Sequence, residues 1–184
     1  MSALSCTFER WSPGIGDPTV MGWVTVAAYG VTAILCFIGF GGDRARAVRV
    51  FGLCLGIVLL ALMVNKQLDL QSALTAYARC LARAQGWYED RRPVQIAFVG
   101  AVLLAGLFAS LLLFGAPRGN RGRTFVAMLG FVALMAFVAI RAAGFHHMDA
   151  LIKAEVGALR MNWILELGGL ALIALNAVAL MARR

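Results

Sequence analysis

The sequence predicts an all-α, polytopic membrane protein, and three observations carry that prediction. Of 184 residues, 61% are apolar, and the mean hydropathy is +0.82, above an ordinary globular chain, in which about half the residues are apolar. Several runs of about 17–22 residues hold few or no charges, long enough to cross a hydrocarbon core of roughly 30 Å. These runs are continuous and do not alternate, which argues against a membrane barrel. One integral membrane domain over residues 1–184 is expected, with five transmembrane helices.

Residues 1–19 form a polar tail with Glu9, Arg10, Pro13, Gly14, Gly16 and Pro18. With no basic start followed by an apolar core, no secretory signal peptide is expected. Asp17 before Pro18 suits an N-cap with proline in the first turn. The first span is then about 18–40, stopped by Gly41-Gly42. The second, about 48–64, carries Gly52-x-x-x-Gly56, a spacing that lets helix backbones approach closely. Pro93 opens a third span at about 93–115, with Ala101, Ala105 and Ala109 as a smooth stripe. A fourth span covers about 124–140 and a fifth about 163–181.

Two polar stretches, 65–92 and 141–162, interrupt this pattern. The first has Leu70, Leu74, Tyr77, Leu81 and Ala84 at spacings of three and four, as in a helix lying in the membrane interface, with Trp87 and Tyr88 as headgroup-level anchors. A single helix over 48–85 is the alternative, since no Gly or Pro stands between Gly56 and Gly86. The second stretch also reads as a helix lying in the interface, with an apolar face of Met148, Leu151, Ile152, Val156 and Leu159, an Asp149–Lys153 pair, and Trp163 anchoring the return to the membrane.

Charge sets the orientation. The 41–49 loop, the 116–123 loop and the C-terminus hold eight Lys/Arg and one acid, Asp43, a net of +7 in short segments. That face is expected to be cytoplasmic, with the N-terminus outside, in a bacterial inner membrane. The other face has nine Lys/Arg and eight acids. Topology thus accounts for the overall charge of +8, and no nucleic-acid partner is expected. The expected partners are membrane lipids and another membrane protein.

The second and fourth spans have apolar stretches of only 17 residues. At 1.5 Å per residue these fall slightly short of the hydrocarbon thickness. Asn65, Lys66, Arg141 and Glu166 are therefore expected at one depth, with Asp69, His146, His147 and Asp149 just above. Charges at such depth pair or face a wet cavity, so Glu166 is expected to pair with Arg141 or Lys66. The bland reading of this layer is a polar clamp between helix ends. The functional reading is an outward-facing pocket.

Asp69, His146, Asp149 and Glu166 are the candidate acid–base residues, and Asn65, Lys66, Arg79, Arg83 and Arg141 the candidate ligand-binding residues. Arginine suits an anionic group because its guanidinium matches phosphate geometry. His146, His147 and Asp149 are the candidate metal ligands, although adjacent histidines on a helix point about 100° apart and do not make a two-ligand face. No cofactor is implied. Ser72 and Ser110 lack the Gly-x-Ser-x-Gly setting of a nucleophile elbow. Cys36 and Cys54 read as small packing residues, and Cys6 and Cys80 share the outer face, where a disulfide between them is possible chemistry. The leading expectation is a non-enzymatic accessory, assembly or binding component. The competing one is a small intramembrane enzyme acting on a lipid-linked or hydrophobic substrate.

Overall fold

The computed structural model describes residues 3–12, 14–90, 92–94, 96–97, 100–101, 104, 121–143, 155–156 and 159–183. Their architecture is helical: α1 (Ala3–Arg10), α2 (Val20–Gly41), α3 (Arg46–Leu68), α4 (Leu70–Ala84), α5 (Arg121–Ala143) and α6 (Met161–Met181). A two-residue ladder, β1 (Glu155–Val156) with β2 (Leu159–Arg160), is the exception. Among the described residues, three helices, α2, α3 and α6, are long and apolar enough to cross a membrane, and Thr124–Ala139 is a shorter apolar helix. The described part of the expected third span, at 92–94, 96–97, 100–101 and 104, is helical, and the rest of 93–115 lies outside the described residues.

α2 stands between α3 and α6, and α5 packs on the far side of α6. Each helix contributes one stripe to the core. On α2 it is Tyr29, Ala33, Cys36 and Phe40, and on α3 it is Val48, Phe51, Leu55 and Leu59. On α6 it is Leu170, Ile173, Ala177 and Leu180. Steps of three and four keep one face toward a neighbour that crosses at a shallow angle. The outward faces, such as Val31, Ile34 and Ile38 on α2 and Val50, Leu53 and Ile57 on α3, are exposed and apolar. That is the arrangement lipid requires.

Small residues set the helix spacing. A Cβ on Gly52 would collide with Phe40, and one on Gly56 with Phe37, so the Gly-x-x-x-Gly pair seats two aromatic rings of α2. A Cβ on Gly130 would lie 2.6 Å from the Gly169 carbonyl oxygen, and one on Gly39 would lie 2.5 Å from that of Ala177. These contacts also give directions. Gly39 meets Ala177 while Tyr29 meets Glu166, so α2 and α6 run parallel. Gly52 meets Phe40 and Gly30 meets Met63, so α3 is antiparallel to α2. Gly130 meets Gly169, and Ala127 meets Asn176, so α5 is antiparallel to α6. It follows that α3 and α5 run the same way, and that the basic segments at 41–49, 121–123 and 183 share one end of the bundle.

Several expectations need correction. The N-cap of α2 is Thr19, two residues after Asp17: its Oγ1 accepts from Gly22 N–H at 3.1 Å, while Asp17 caps Thr19 itself through its N–H and Oγ1. A single helix over 48–85 does not form. Asp69 adopts the left-handed conformation (φ 49°, ψ 43°), ending α3 and starting α4 at one residue. Aspartate tolerates this region better than most side chains, which is why no Gly or Pro marks the break. The apolar face expected through Val156 and Leu159 is not helical, because these residues face each other in the β1–β2 ladder. The rest of that apolar face, within 144–154, and residues 157–158 lie outside the described residues. Trp163 is buried and does not anchor at a headgroup, and Cys54 is exposed whereas Cys36 is buried.

Replacing Gly130 by alanine should lower stability by about 1–3 kcal/mol, the usual cost of overpacking a close contact. Gly168→Ala, which meets nothing within 4 Å, should be neutral. Thermal unfolding of the two variants in the same detergent compares them.

Candidate functional site

Four helices converge on one polar cluster. Glu166 of α6 is 3% exposed and forms an ion pair with Lys66 of α3 at 2.5 Å, where the lysine side chain is 6% exposed. Lys66 Nζ donates to Glu166 Oε2, and the Tyr29 hydroxyl of α2 donates to Oε1 at 3.1 Å. Both carboxylate oxygens are therefore engaged. A charge removed from water is tolerated only with such partners. Phe137 and Val138 of α5 close the wall, and Leu62, Asn65 and Asp69 complete it. The cavity volume is about 10 Å³, room for about one water molecule.

The elbow at Asp69 borders this cavity and is sealed by the N-terminal segment. Gly16 N–H donates to Gln67 O at 3.0 Å, occupying a carbonyl freed where α3 stops. A Cβ on Gly16 would lie 2.7 Å from Lys66 O and 3.0 Å from Asp69 Cβ, so only glycine fits. Next to it, Asp17 Oδ2 accepts from the Trp163 indole at 3.4 Å. Partial burial pushes the Asp17 carboxyl up, but the side-chain and backbone hydrogen bonds of Thr19, the Trp163 indole and the nearby Lys66 charge outweigh it. The net result lies below the ordinary 3.8. α1 is bound to α4 by a Cys6–Cys80 disulfide, with Cα atoms 6.0 Å apart.

The structure brings Asn65, Lys66, Asp69 and Glu166 together and selects Lys66 as the partner of Glu166. Arg141 stands in the last turn of α5, and its side chain lies outside what is described. His146, His147 and Asp149 also fall outside the described residues. Among the described residues, no three His, Cys, Asp or Glu side chains are grouped to hold a metal ion. Arg79 and Arg83 are exposed on α4 and do not line the cavity. Arg83 lies 4.6 Å from the centre of the Tyr88 ring. Ser72 is exposed on the same helix.

Two polar residues escaped the sequence reading. Tyr29 lay hidden in an apolar span, and its signal was a hydroxyl that needs a partner when buried. Asn176, near the other end of α6, accepts the Ala127 N–H at 2.8 Å. A lone amide within a span is the kind of residue that joins transmembrane helices.

No protein-family model, curated protein or solved structure matches this chain.

Two tests follow from this geometry. Lys66→Met should destabilise the protein by about 3–5 kcal/mol by stranding Glu166, whereas Lys66→Met with Glu166→Leu should recover most of that loss; a double-mutant cycle of unfolding free energies decides it. Because its value is depressed, ionised Asp17 contributes stability that is present above pH 3.8 and fades as pH falls through its folded value. Asp17→Asn should therefore flatten the acid limb of the stability profile below pH 3.8, as read by thermal unfolding at stepped pH.

Proposed function

We propose that this chain is a five-span inner-membrane protein with its N-terminus outside and C-terminus in the cytoplasm. It serves as a non-enzymatic accessory, assembly or binding component whose polar site faces the periplasm. The parity of the helices supports five spans. α3 ends at the end of the bundle where α5 finishes, and α5 starts at the opposite, basic end. The chain between Leu68 and Arg121 therefore has to return across the bundle, and the apolar stretch 93–115 has the length to do so. The basic segments sharing one end support a cytoplasmic assignment for that end. The Cys6–Cys80 bond at the opposite end suits an oxidising compartment. On α4, Leu70, Leu74 and Tyr77 are exposed while Cys80 and Ala82 are buried, which supports its apolar stripe lying on the outer leaflet.

The observation that carries the non-enzymatic reading is the state of Glu166. Both of its oxygens are taken, and the cavity beside it has room for about one water. Such a cluster holds helices in register; it offers a substrate neither space nor a free acid–base group. Metal content and migration in mild detergent test the reading together. The expected outcome is a metal-free protein migrating within a larger complex from which Lys66→Met releases it. Stoichiometric metal that disappears in His146→Ala would overturn the reading in favour of a metal-dependent membrane enzyme. For topology, a phosphatase reporter fused after Tyr88 should be active, and the same reporter after Arg184 inactive.

A further inference from the structure

The elbow, the disulfide and the polar cavity form one connected device. α4 leaves α3 through a single left-handed residue, Asp69, with no intervening loop. Such a junction has only one residue's φ and ψ to set the angle between the two helices. Asp69 also lines the cavity beside the Lys66–Glu166 pair, so a change of its backbone angles moves one wall of that cavity. α4 rests mainly on α1, with smaller contacts to α5 and α3. α1 in turn continues into the segment whose Gly16 donates to Gln67 O and whose Asp17 meets Trp163. Cys80 on α4 is joined to Cys6 on α1. The covalent bond thus closes a strap that runs from α4 through α1 and back over the elbow.

We propose that the Cys6–Cys80 disulfide is a redox-controlled strap fastening α4 and the N-terminal segment at the Asp69 elbow, which forms one wall of the Lys66–Glu166 cavity, and that a dithiol reductant releases it. Cys6 is partly exposed, whereas Cys80 is 2% exposed, so the attack falls on Cys6. A thiolate of the dithiol bonds to Cys6 Sγ, the Sγ–Sγ bond breaks, and Cys80 leaves as a thiolate that takes up a proton. The second thiolate of the reductant then displaces Cys6, which is protonated in turn. Two electrons and two protons reach the cysteine pair, and the reductant departs as a disulfide. Without the bond, α4 is held by the one-residue elbow and its noncovalent contacts. Opening at Asp69 admits water to Lys66. This device does not depend on the number of spans or on whether the protein is an enzyme.

The test uses the full chain in lipid nanodiscs, with and without dithiothreitol, and reads acylation of Lys66 by a water-soluble amine reagent. Lys66 and Lys153 are the two lysines of the chain, so mass spectrometry can follow Lys66 against Lys153 in the same sample. Reduction should raise the Lys66 rate on the order of tenfold and speed amide exchange over residues 66–73, with α2 and α6 unchanged, as expected for local opening. Cys6→Ser with Cys80→Ser should show the fast rate without reductant, and Cys54→Ala should respond as the wild type does. An unchanged Lys66 rate on reduction would overturn the proposal, leaving the bond as a tether for the N-terminus. Uniformly faster exchange over all helices would overturn it too, because the bond would then be a general staple of the fold.

Discussion

The arrangement depends on keeping one buried ion pair away from water and fully partnered. Glu166 and Lys66 lie 100 residues apart in the chain, and neither charge is stable alone in a low-dielectric interior. Their meeting fixes the height of α3 against α6, and the Tyr29 hydroxyl fixes α2 between them. The remaining wall is apolar on the α5 side, through Phe137 and Val138, and polar at the elbow, through Asn65 and Asp69. Registration of three helices, α2, α3 and α6, therefore follows from satisfying one carboxylate.

The two ends of the bundle are held by different physics. At the basic end, close approach of backbones does the work: Gly39 against Ala177 brings α2 and α6 into direct contact, Gly130 against Gly169 does the same for α5 and α6 nearer mid-bundle, and Asn176 adds one interhelical hydrogen bond. Dispersion and small side chains dominate where lipid offers no hydrophobic gradient between helices. At the other end the fastening is polar and covalent. Asp17, Thr19, Trp163 and Gly16 tie the N-terminal segment over the elbow, and Cys6–Cys80 ties α1 to α4. Close backbone packing thus sits opposite an end built around a one-residue junction.

Much of the candidate site was legible because charge in an apolar chain is conspicuous. Lys66 and Glu166 stood out by depth, and the short second span placed Asn65 beside them. Asp69 was legible as a site residue but not as a helix break, because no local signal distinguishes an exposed aspartate in a helix from one in the left-handed region. The Thr19 cap was misplaced by two residues, since Asp17 and Thr19 are both good capping side chains and only the hydrogen bonds show which one the helix uses. Trp163 reads as an interfacial anchor from its position and is instead buried against the N-terminal segment. Contacts with a distant segment leave no mark in local pattern.

The sequence by itself determined that the chain is helical, that it has helices long and apolar enough to cross a membrane, that Gly52 and Gly56 make a close seam, and that Lys66 and Glu166 need partners. Composition, span length and spacing are local properties, and the cost of exposing polar groups to lipid acts on each helix separately. Only the tertiary structure decided that Lys66 is the partner of Glu166, that Tyr29 takes the second oxygen, and that Gly16 seals the elbow. These choices depend on helix order and direction, which arise when separate helices pack, and no single stretch of sequence carries that information.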